Sequence, residues 1–441
     1  MAKNNPTNIE ISDEFKTALT AMSSTSDHLF ITGNAGTGKS TLLSYFRKQK
    51  AKAIAVLAPT GVAAINVKGE TIHSFFRFKP NITPKEAGTL GLRLKNTAMF
   101  EHLEAIIIDE ISMVRADMID CIDQFLRCVL HKHEPFGGIQ MIWFGDLFQL
   151  PPVVTRDERA YFSDVYKTPY FFSAHVVQDV NFDLVTLELT KIYRQQDQNF
   201  IAILNAVRTG ELTAAQLGVL NKRVMHQLEN IDTNSIYLTT TNASSREINA
   251  QELTLLRTPE FSHKASFSQR FEPRMAPTEV KLVLKIGAQV MFINNHPYGQ
   301  WVNGTLGTVV DIRPHELEVV VKTDTGETVA VSPHKWNMHK HTFNPETRAL
   351  QKVSAGSFMQ FPLQLAWAIT IHKSQGKTFN SVRIDMGYGA FAEGQTYVAL
   401  SRCRTLDGIY LKQHLRFSDV IVDPAVVEFS KPQTMSISSS S

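Results

Sequence analysis

The residues best suited to chemistry lie in a few short stretches. Gly33-Asn34-Ala35-Gly36-Thr37-Gly38-Lys39-Ser40-Thr41 fits the G-x-x-x-x-G-K-[ST] pattern of a phosphate-binding loop. Its glycines let backbone N–H groups turn inward around phosphates, and the helix that follows adds unpaired N–H groups of its own. Lys39 reaches the β and γ phosphates, and Ser40 can ligate Mg²⁺. Further on, the apolar run Ala105-Ile106-Ile107-Ile108 ends in Asp109-Glu110. Asp109 would hold the Mg²⁺ shell, and Glu110 would orient and deprotonate water; without a metal their like charge would raise a pKa. Gln149, in Gly145-Asp146-Leu147-Phe148-Gln149-Leu150-Pro151-Pro152, is an uncharged group able to sense the γ phosphate. This set calls for a nucleoside triphosphate and Mg²⁺. The glutamate beside the aspartate argues against a guanine-nucleotide switch.

A second group of side chains suits the phosphates of a polymer. Thr60, Thr71, His73 and Ser74 follow a strand end with short polar groups. Phe75 and Phe76, next in line, either stack on bases or seal a core. Thr370, His372, Lys373 and Gly376 end a later apolar run, and suit a phosphate backbone or a nucleotide phosphate. Arg194 opens the second domain facing the nucleotide cleft. Arg402 and Arg404 follow the helical apolar turn at 397–400.

Strands and helices must position these groups. Leu29-Phe30-Ile31, residues 53–58, 105–108 and 139–144 read as strands buried on both faces, so the loops that leave them would carry the site. Met118, Ile122, Phe125 and Val129 form a core stripe at helical spacing, with Asp117, Asp120 and Asp123 facing away. The basic stretch 77–103 reads as an insertion exposed at the rim. From about 280 the texture changes to short alternating strands with turn signals at Asn303-Gly304 and Asp324-Thr325-Gly326. Trp301, Tyr298, Trp336 and His339 there either touch nucleic acid or pack a barrel. The domains run 1–180, 181–286, an inserted barrel at 287–355, 356–428, and a disordered tail at 429–441. The chain of 441 residues is 43% hydrophobic and 20% charged, with a formal charge of +3. No apolar stretch reaches the ~18 residues of a membrane span. The start carries no signal-peptide pattern, and three cysteines make neither a disulfide framework nor a zinc site. A near-neutral chain must bind nucleic acid through a local groove.

The motifs at 33–41, 58–61, 106–110, 143–152, 189–195, 364–378 and 397–404, in this order, resemble superfamily 1 helicases of the 5′-to-3′ type. The resemblance is strongest to the Petite Integration Frequency family, through 109–127 and Trp301-Val302-Asn303-Gly304-Thr305-Leu306-Gly307. It implies an α/β fold of two RecA-like domains with parallel sheets, the second carrying a small β-barrel insertion. It implies that Lys39, Ser40, Asp109, Glu110 and Gln149 serve ATP hydrolysis, with Gly33, Ala35, Gly36, Thr37, Gly38, Thr41 and Gly376 lining the nucleotide. Arg194 and Arg402 would reach across the cleft as exposed arginine fingers. Thr60, His73, His372 and Lys373 would lie along single-stranded DNA, with Thr71, Ser74 and Phe75 beside them. The family acts on forks, DNA–RNA hybrids and G-quadruplexes, in replication, repair, recombination and telomere maintenance. It implies a monomer-capable cytoplasmic motor with no membrane partner. No glutamine precedes Gln49, where many helicases read adenine with one. The long extensions of eukaryotic members are absent, which points to a bacterial or phage protein.

Overall fold

A computed structural model describes residues 12–49, 52–79, 81–155, 158–227, 235–268, 276–344 and 349–431. Residues 1–11 and residues 432–441 of the expected tail lie outside the described residues. The first sheet comprises β1 (His28–Gly33), β2 (Ile54–Ala58), β3 (Glu70–Thr71), β4 (Ala105–Ile108), β5 (Gln140–Phe144) and β6 (Leu184–Leu189), in the order β3-β2-β4-β5-β1-β6. All its pairings are parallel. Every residue of β4 and β5 is buried, because helices cover both faces of such a sheet. Since β4, β5 and β1 are neighbours running the same way, the loops that leave them emerge side by side along one edge.

β6 lies beyond the expected boundary at 180, yet it pairs with β1 from His28↔Leu184 to Gly33↔Leu189 and belongs to the first sheet. Residues 77–103 are likewise part of this unit. The helix Pro84–Arg93 starts in a Thr83–Glu86 capping box and lies against the helix Ala116–Leu130. A Cβ at Gly91 would stand 2.7 Å from the Phe125 carbonyl oxygen. The aspartates of the helix Ala116–Leu130 do not all face outward. Asp120 is buried and accepts hydrogen bonds from the backbone N–H of His175 and Val176, while Asp123 accepts from Phe136 N–H and from Arg127. The carboxylates satisfy loop amides that would otherwise be buried without partners.

The second sheet opens with β7 (Ile236–Thr239). The chain then makes β8 (Phe261–Lys264), β9 (Ser266–Phe267), β10 (Lys281–Leu284), β11 (Gln289–Phe292), β12 (Leu306–Arg313), β13 (Glu318–Thr323), β14 (Thr328–Val331), β15 (His334–Asn344), β16 (Ala349–Gln360) and β17 (Leu363–Leu365). It returns with β18 (Ala368–Thr370), β19 (Val382–Asp385) and β20 (Ile409–Leu411). β18-β7-β19-β20 form a parallel sheet. The antiparallel sheet β14-β13-β12-β11-β17 lies between its halves in sequence, packed on Val290, Phe292, Val319 and Val321.

The C-terminal end returns to the first domain. In the helix Pro424–Phe429, Phe429 stacks on Phe172 with ring centroids 4.4 Å apart and meets Phe30 and Phe171 edge-on or tilted. Residues 429–431 are therefore not part of a disordered tail: an aromatic ring this well partnered gains from burial what ordering it costs. Among the described residues, no helix is long and apolar enough to cross a membrane.

Candidate functional site: a nucleotide cleft between two sheets

The loop after β1 runs directly into the helix Lys39–Gln49. Gly36 and Gly38 have φ of +88° and +90°, which only glycine adopts without strain. A Cβ at Gly36 would also stand 2.5 Å from the Cβ of Arg194. Lys39 Nζ donates to the carbonyl oxygens of Gly33 at 2.5 Å and Asn34 at 3.0 Å. Burial pushes its ammonium below the usual lysine range, while Asp146, Glu110 and Asp109 pull the other way.

Asp109 and Glu110 leave β4 beside this loop. Glu110 sits in the left-handed region, with φ of +53°, a strained position for a non-glycine residue. Burial pushes both carboxyls up, and for Asp109 the neighbouring Glu110 adds to the rise. A buried and a half-buried carboxylate at a strand end, an ammonium and a glycine cradle are the donor set that a triphosphate with a divalent cation requires. The residues therefore fit both groups.

The cleft has a volume of about 940 Å³. Ala35, Gly36, Thr37, Gly38, Lys39, Ser40, Thr41, Asp109, Glu110, Gln149, Arg194, Gly376 and Arg402 all line it; Gly33 sits just behind, carrying the carbonyl that Lys39 binds. The loops after β1, β4 and β5 thus meet residues more than 150 positions downstream. Tyr193, Arg404 and Thr405 also line the cleft, and pattern alone did not single out a role for them.

Arg402 is not exposed. It is 1% accessible, and it donates to the carbonyl oxygens of Val398, Ser374 and Lys377 and to Ser401 Oγ. Burial lowers its guanidinium to about 9. The turn at 399–403 encloses the side chain because its neighbours Val398, Ala399, Leu400 and Cys403 are core residues. Arg194 is half-buried and donates to the Ser401 carbonyl oxygen at 3.0 Å.

Contacts that the spacing did not reveal hold the two domains together near the cleft. Tyr397 Oη accepts from the Ala35 N–H at 2.9 Å, and Asn34 Nδ2 donates to Asn205 Oδ1 at 2.8 Å. Arg208 Nε and Nη2 donate to Asp146 Oδ1 at 3.2 and 3.1 Å. Gly394 presses on the loop after β5, where a Cβ would lie 2.3 Å from the Phe148 carbonyl oxygen. Each joins the second domain to the first. A polar residue at one position carries no signal of a partner so far away in sequence.

The proposed polymer track divides. Thr60, Thr71 and Thr370 are N-caps of the short helices Gly61–Asn66, Ile72–Phe76 and Ile371–Ser374, each accepting from the backbone N–H three residues on. Thr60, Ser74 and Lys373 are exposed, while Thr71, His73 and His372 are half-buried. Burial lowers the His372 imidazole below its ordinary value. Phe75 does not face outward. It is 6% accessible and meets Phe76 at 4.9 Å and Phe100 at 5.7 Å within the first domain's aromatic core. The short helix Ile72–Phe76 turns its apolar side to that core.

A second cavity of about 700 Å³ lies between the domains. Lys373 lines it with Arg246, Lys281, Lys377, Asn66 and Asn303, of which only Lys373 was expected from the sequence as a strand-contacting residue. Asn303 Nδ2 donates to Asn66 Oδ1 at 2.8 Å and Lys377 Nζ donates to Asn303 Oδ1 at 2.5 Å, so the antiparallel sheet's loop touches both domains. Trp301 stacks on Phe292 at 4.5 Å, and Trp336 is buried against Phe358. Both pack the fold, whereas Tyr298 is 91% exposed. The His339 side chain lies outside the described residues.

Two parallel-sheet domains with a phosphate loop and carboxylate pair on one side and arginines on the other define a nucleotide-driven motor of the P-loop class. Residues 9–218 match the family of PIF1-like helicases. An ATP-dependent DNA helicase Pif1 of Bdellovibrio bacteriovorus is 33% identical over 437 residues, spanning 96% of this chain and 92% of the relative. The chain spans about 60% of the length of the vertebrate relatives it matches. A crystal structure of Bacteroides sp Pif1 in complex with ADP-AlF4 superposes with a TM-score of 0.86 at 36% identity, covering 96% of each chain. A structure of Bacteroides Pif1 bound to ssDNA gives 0.68 at 37% identity, again over 96% of each. The chain belongs to the PIF1-like helicase family and is an ATP-dependent helicase enzyme.

Proposed function

We propose that the protein hydrolyses ATP with Mg²⁺ to move 5′ to 3′ on single-stranded DNA and to separate the duplex ahead. The observation that carries this is the cleft itself: the hydrolytic groups of the first domain and Arg194 and Arg402 of the second line one cavity. Ser40 and Asp109 would hold the Mg²⁺, which supplies charge neutralisation on the phosphates when bound. Lys39 and the loop amides bind and orient the phosphates; Glu110 accepts the proton of the attacking water, and Gln149 holds its position. Arg194 carries charge into the closed cleft, and Arg402 stiffens the loop 374–377 as well as facing Glu110.

Closure through these contacts would draw Thr60, Thr71, His73 and Ser74 towards His372 and Lys373, and alternating grip would move the strand. Structures of relatives carrying ADP-AlF4 and ssDNA, and one of forked dsDNA unwound by two Pif1 helicases, support this reading. The domain plan that fits is a first RecA-like unit to about 190, a second from there to about 423, and the antiparallel sheet as its inserted small barrel. DNA–RNA hybrids and G-quadruplexes are further substrates of the same track, and replication, repair, recombination and telomere upkeep the processes it would serve. A bacterial origin fits relatives such as that of Bdellovibrio, and a cytoplasmic, monomer-capable motor is part of the same proposal.

Single-turnover strand separation tests the proposal. A 5′-tailed duplex should be unwound in ATP and Mg²⁺, a non-hydrolysable analogue should give nothing, and a 3′-tailed duplex should be largely ignored. Faster unwinding from the 3′ tail would overturn the polarity.

A further inference from the structure

We propose that Tyr298 is a platform on which one base of the bound single strand stacks, at the rim of the cavity between the domains. The inference rests on the reading that the strand's phosphates lie against Lys373.

The loop that carries Tyr298 springs from the cavity wall. Ile293, where it leaves, and Asn303, where it returns, both line the cavity with Arg246, Lys373 and Lys377. Asn303 fixes the returning end. Its side chain bonds Asn66 of the first domain and Lys377 of the second, and its N–H donates to Asn295 Oδ1 at 2.7 Å.

The loop is braced. Trp301 Nε1 donates to Asn294 Oδ1 at 3.0 Å, the His296 N–H donates to the Trp301 carbonyl oxygen at 2.9 Å, and the rings of His296 and Trp301 lie 4.2 Å apart. His296-Pro297-Tyr298-Gly299 at the tip close in a turn, the Gly299 N–H donating to the His296 carbonyl oxygen at 3.1 Å. Proline second and glycine fourth are residues that such a turn favours. Tyr298 stands third, 91% exposed, with the His296 ring meeting it edge-on at 5.8 Å. A ring this exposed gains almost nothing from burial. The fold holds it out on a rigid support.

Two features make the occupant a nucleic-acid base. The first is charge. From Val280 to Val310 the chain has no aspartate or glutamate, so the loop carries nothing that repels a phosphate, and the cavity it borders carries Arg246, Lys281, Lys373 and Lys377. The second is shape. A protein partner needs a contiguous apolar core. A base needs one aromatic face beside a basic groove that follows the backbone, and every base has a flat face to offer.

The test uses the full chain and a labelled single-stranded oligonucleotide, read by anisotropy. Tyr298→Ala should raise Kd about tenfold, the size of one lost base stack. Tyr298→Phe keeps the ring and should stay within about twofold of wild type. Stacking releases no counterions, so Tyr298→Ala should keep the wild-type slope of log Kd against log salt, whereas Lys373→Ala should reduce that slope by about 0.7. Wild type should prefer the ordinary oligonucleotide to a fully abasic one, and Tyr298→Ala should lose about tenfold of that preference. An affinity of Tyr298→Ala within about twofold of wild type, or an equal loss in Tyr298→Phe, would overturn the stack. A melting temperature that falls with the affinity would overturn it too, by making the ring part of the fold. A loss in Lys373→Ala alone removes only the stack. If Lys373→Ala changes neither affinity nor slope, the strand reading falls, and the stack with it.

Discussion

Arg208, on the helix Gln198–Thr209 of the second domain, grips Asp146 of the first through two donors while its guanidinium lies 4.2 Å over the ring of Phe148. The Asp146 side chain is wholly inaccessible and that of Arg208 is 12% exposed. Burial would raise the Asp146 carboxyl, but Arg208 and Lys39 outweigh it and hold the group below its ordinary value. Removing Arg208 leaves a buried carboxylate without its partner, so Arg208→Ala should destabilise by about 3–5 kcal/mol, as breaking buried pairs does. Urea melts with a double-mutant cycle through Asp146→Asn measure the coupling. Because the folded value is depressed, the pair's contribution is complete above about pH 4 and fades as pH falls through the folded value. The gap between wild type and Asp146→Asn should therefore narrow in acid; a gap that widens there contradicts the assignment.

Lys39→Ala should nearly abolish ATP turnover, since it removes the ammonium that meets phosphate charge. Glu110→Gln should still bind ATP and Mg²⁺ yet hydrolyse slowly, keeping the shape without the base. Losses of about 10²-fold or more are expected for each. Steady-state turnover within about twofold of wild type would remove the role from whichever residue showed it.

Phe75→Ala should act on stability and not on DNA. Deleting a buried phenylalanine costs about 3–5 kcal/mol, and the ring's partners here are Phe76 and Phe100. Thermal melts beside anisotropy with a single-stranded oligonucleotide separate the two. Weakened binding with an unchanged melting temperature would return Phe75 to the strand.

Single-strand binding should weaken as salt rises, because the chain's formal charge of only +3 leaves affinity to local contacts such as Lys373, Arg246 and Lys377. Neutralised phosphates release counterions on binding, and that release is lost at high salt. An affinity flat between about 50 and 300 mM salt would exclude a phosphate-contacting track.

The sequence by itself determined which polar groups stand in the loops beyond the strands of the first sheet. Asp109 directly follows an apolar run and Lys39 and Gln149 lie at the far end of the loops that follow two others, so local pattern placed them beyond buried strands. The alternating strands between 280 and 331 were equally legible, because period-two burial and Asn-Gly turns are local signals. Tertiary structure decided which side chains meet. Phe75 and Arg402 each sit on short helical turns whose outward or inward face depends on what packs there, and both turned inward. Phe429 ends the helix Pro424–Phe429, and only the aromatic surface of Phe30, Phe171 and Phe172 gives it a place. The bonds of Asp146 to Arg208 and of Glu110 to Gln375 join residues 62 and 265 positions apart. Hydrogen bonds of this range depend on how two sheets are set against each other, and one chain's residue order holds no local trace of that.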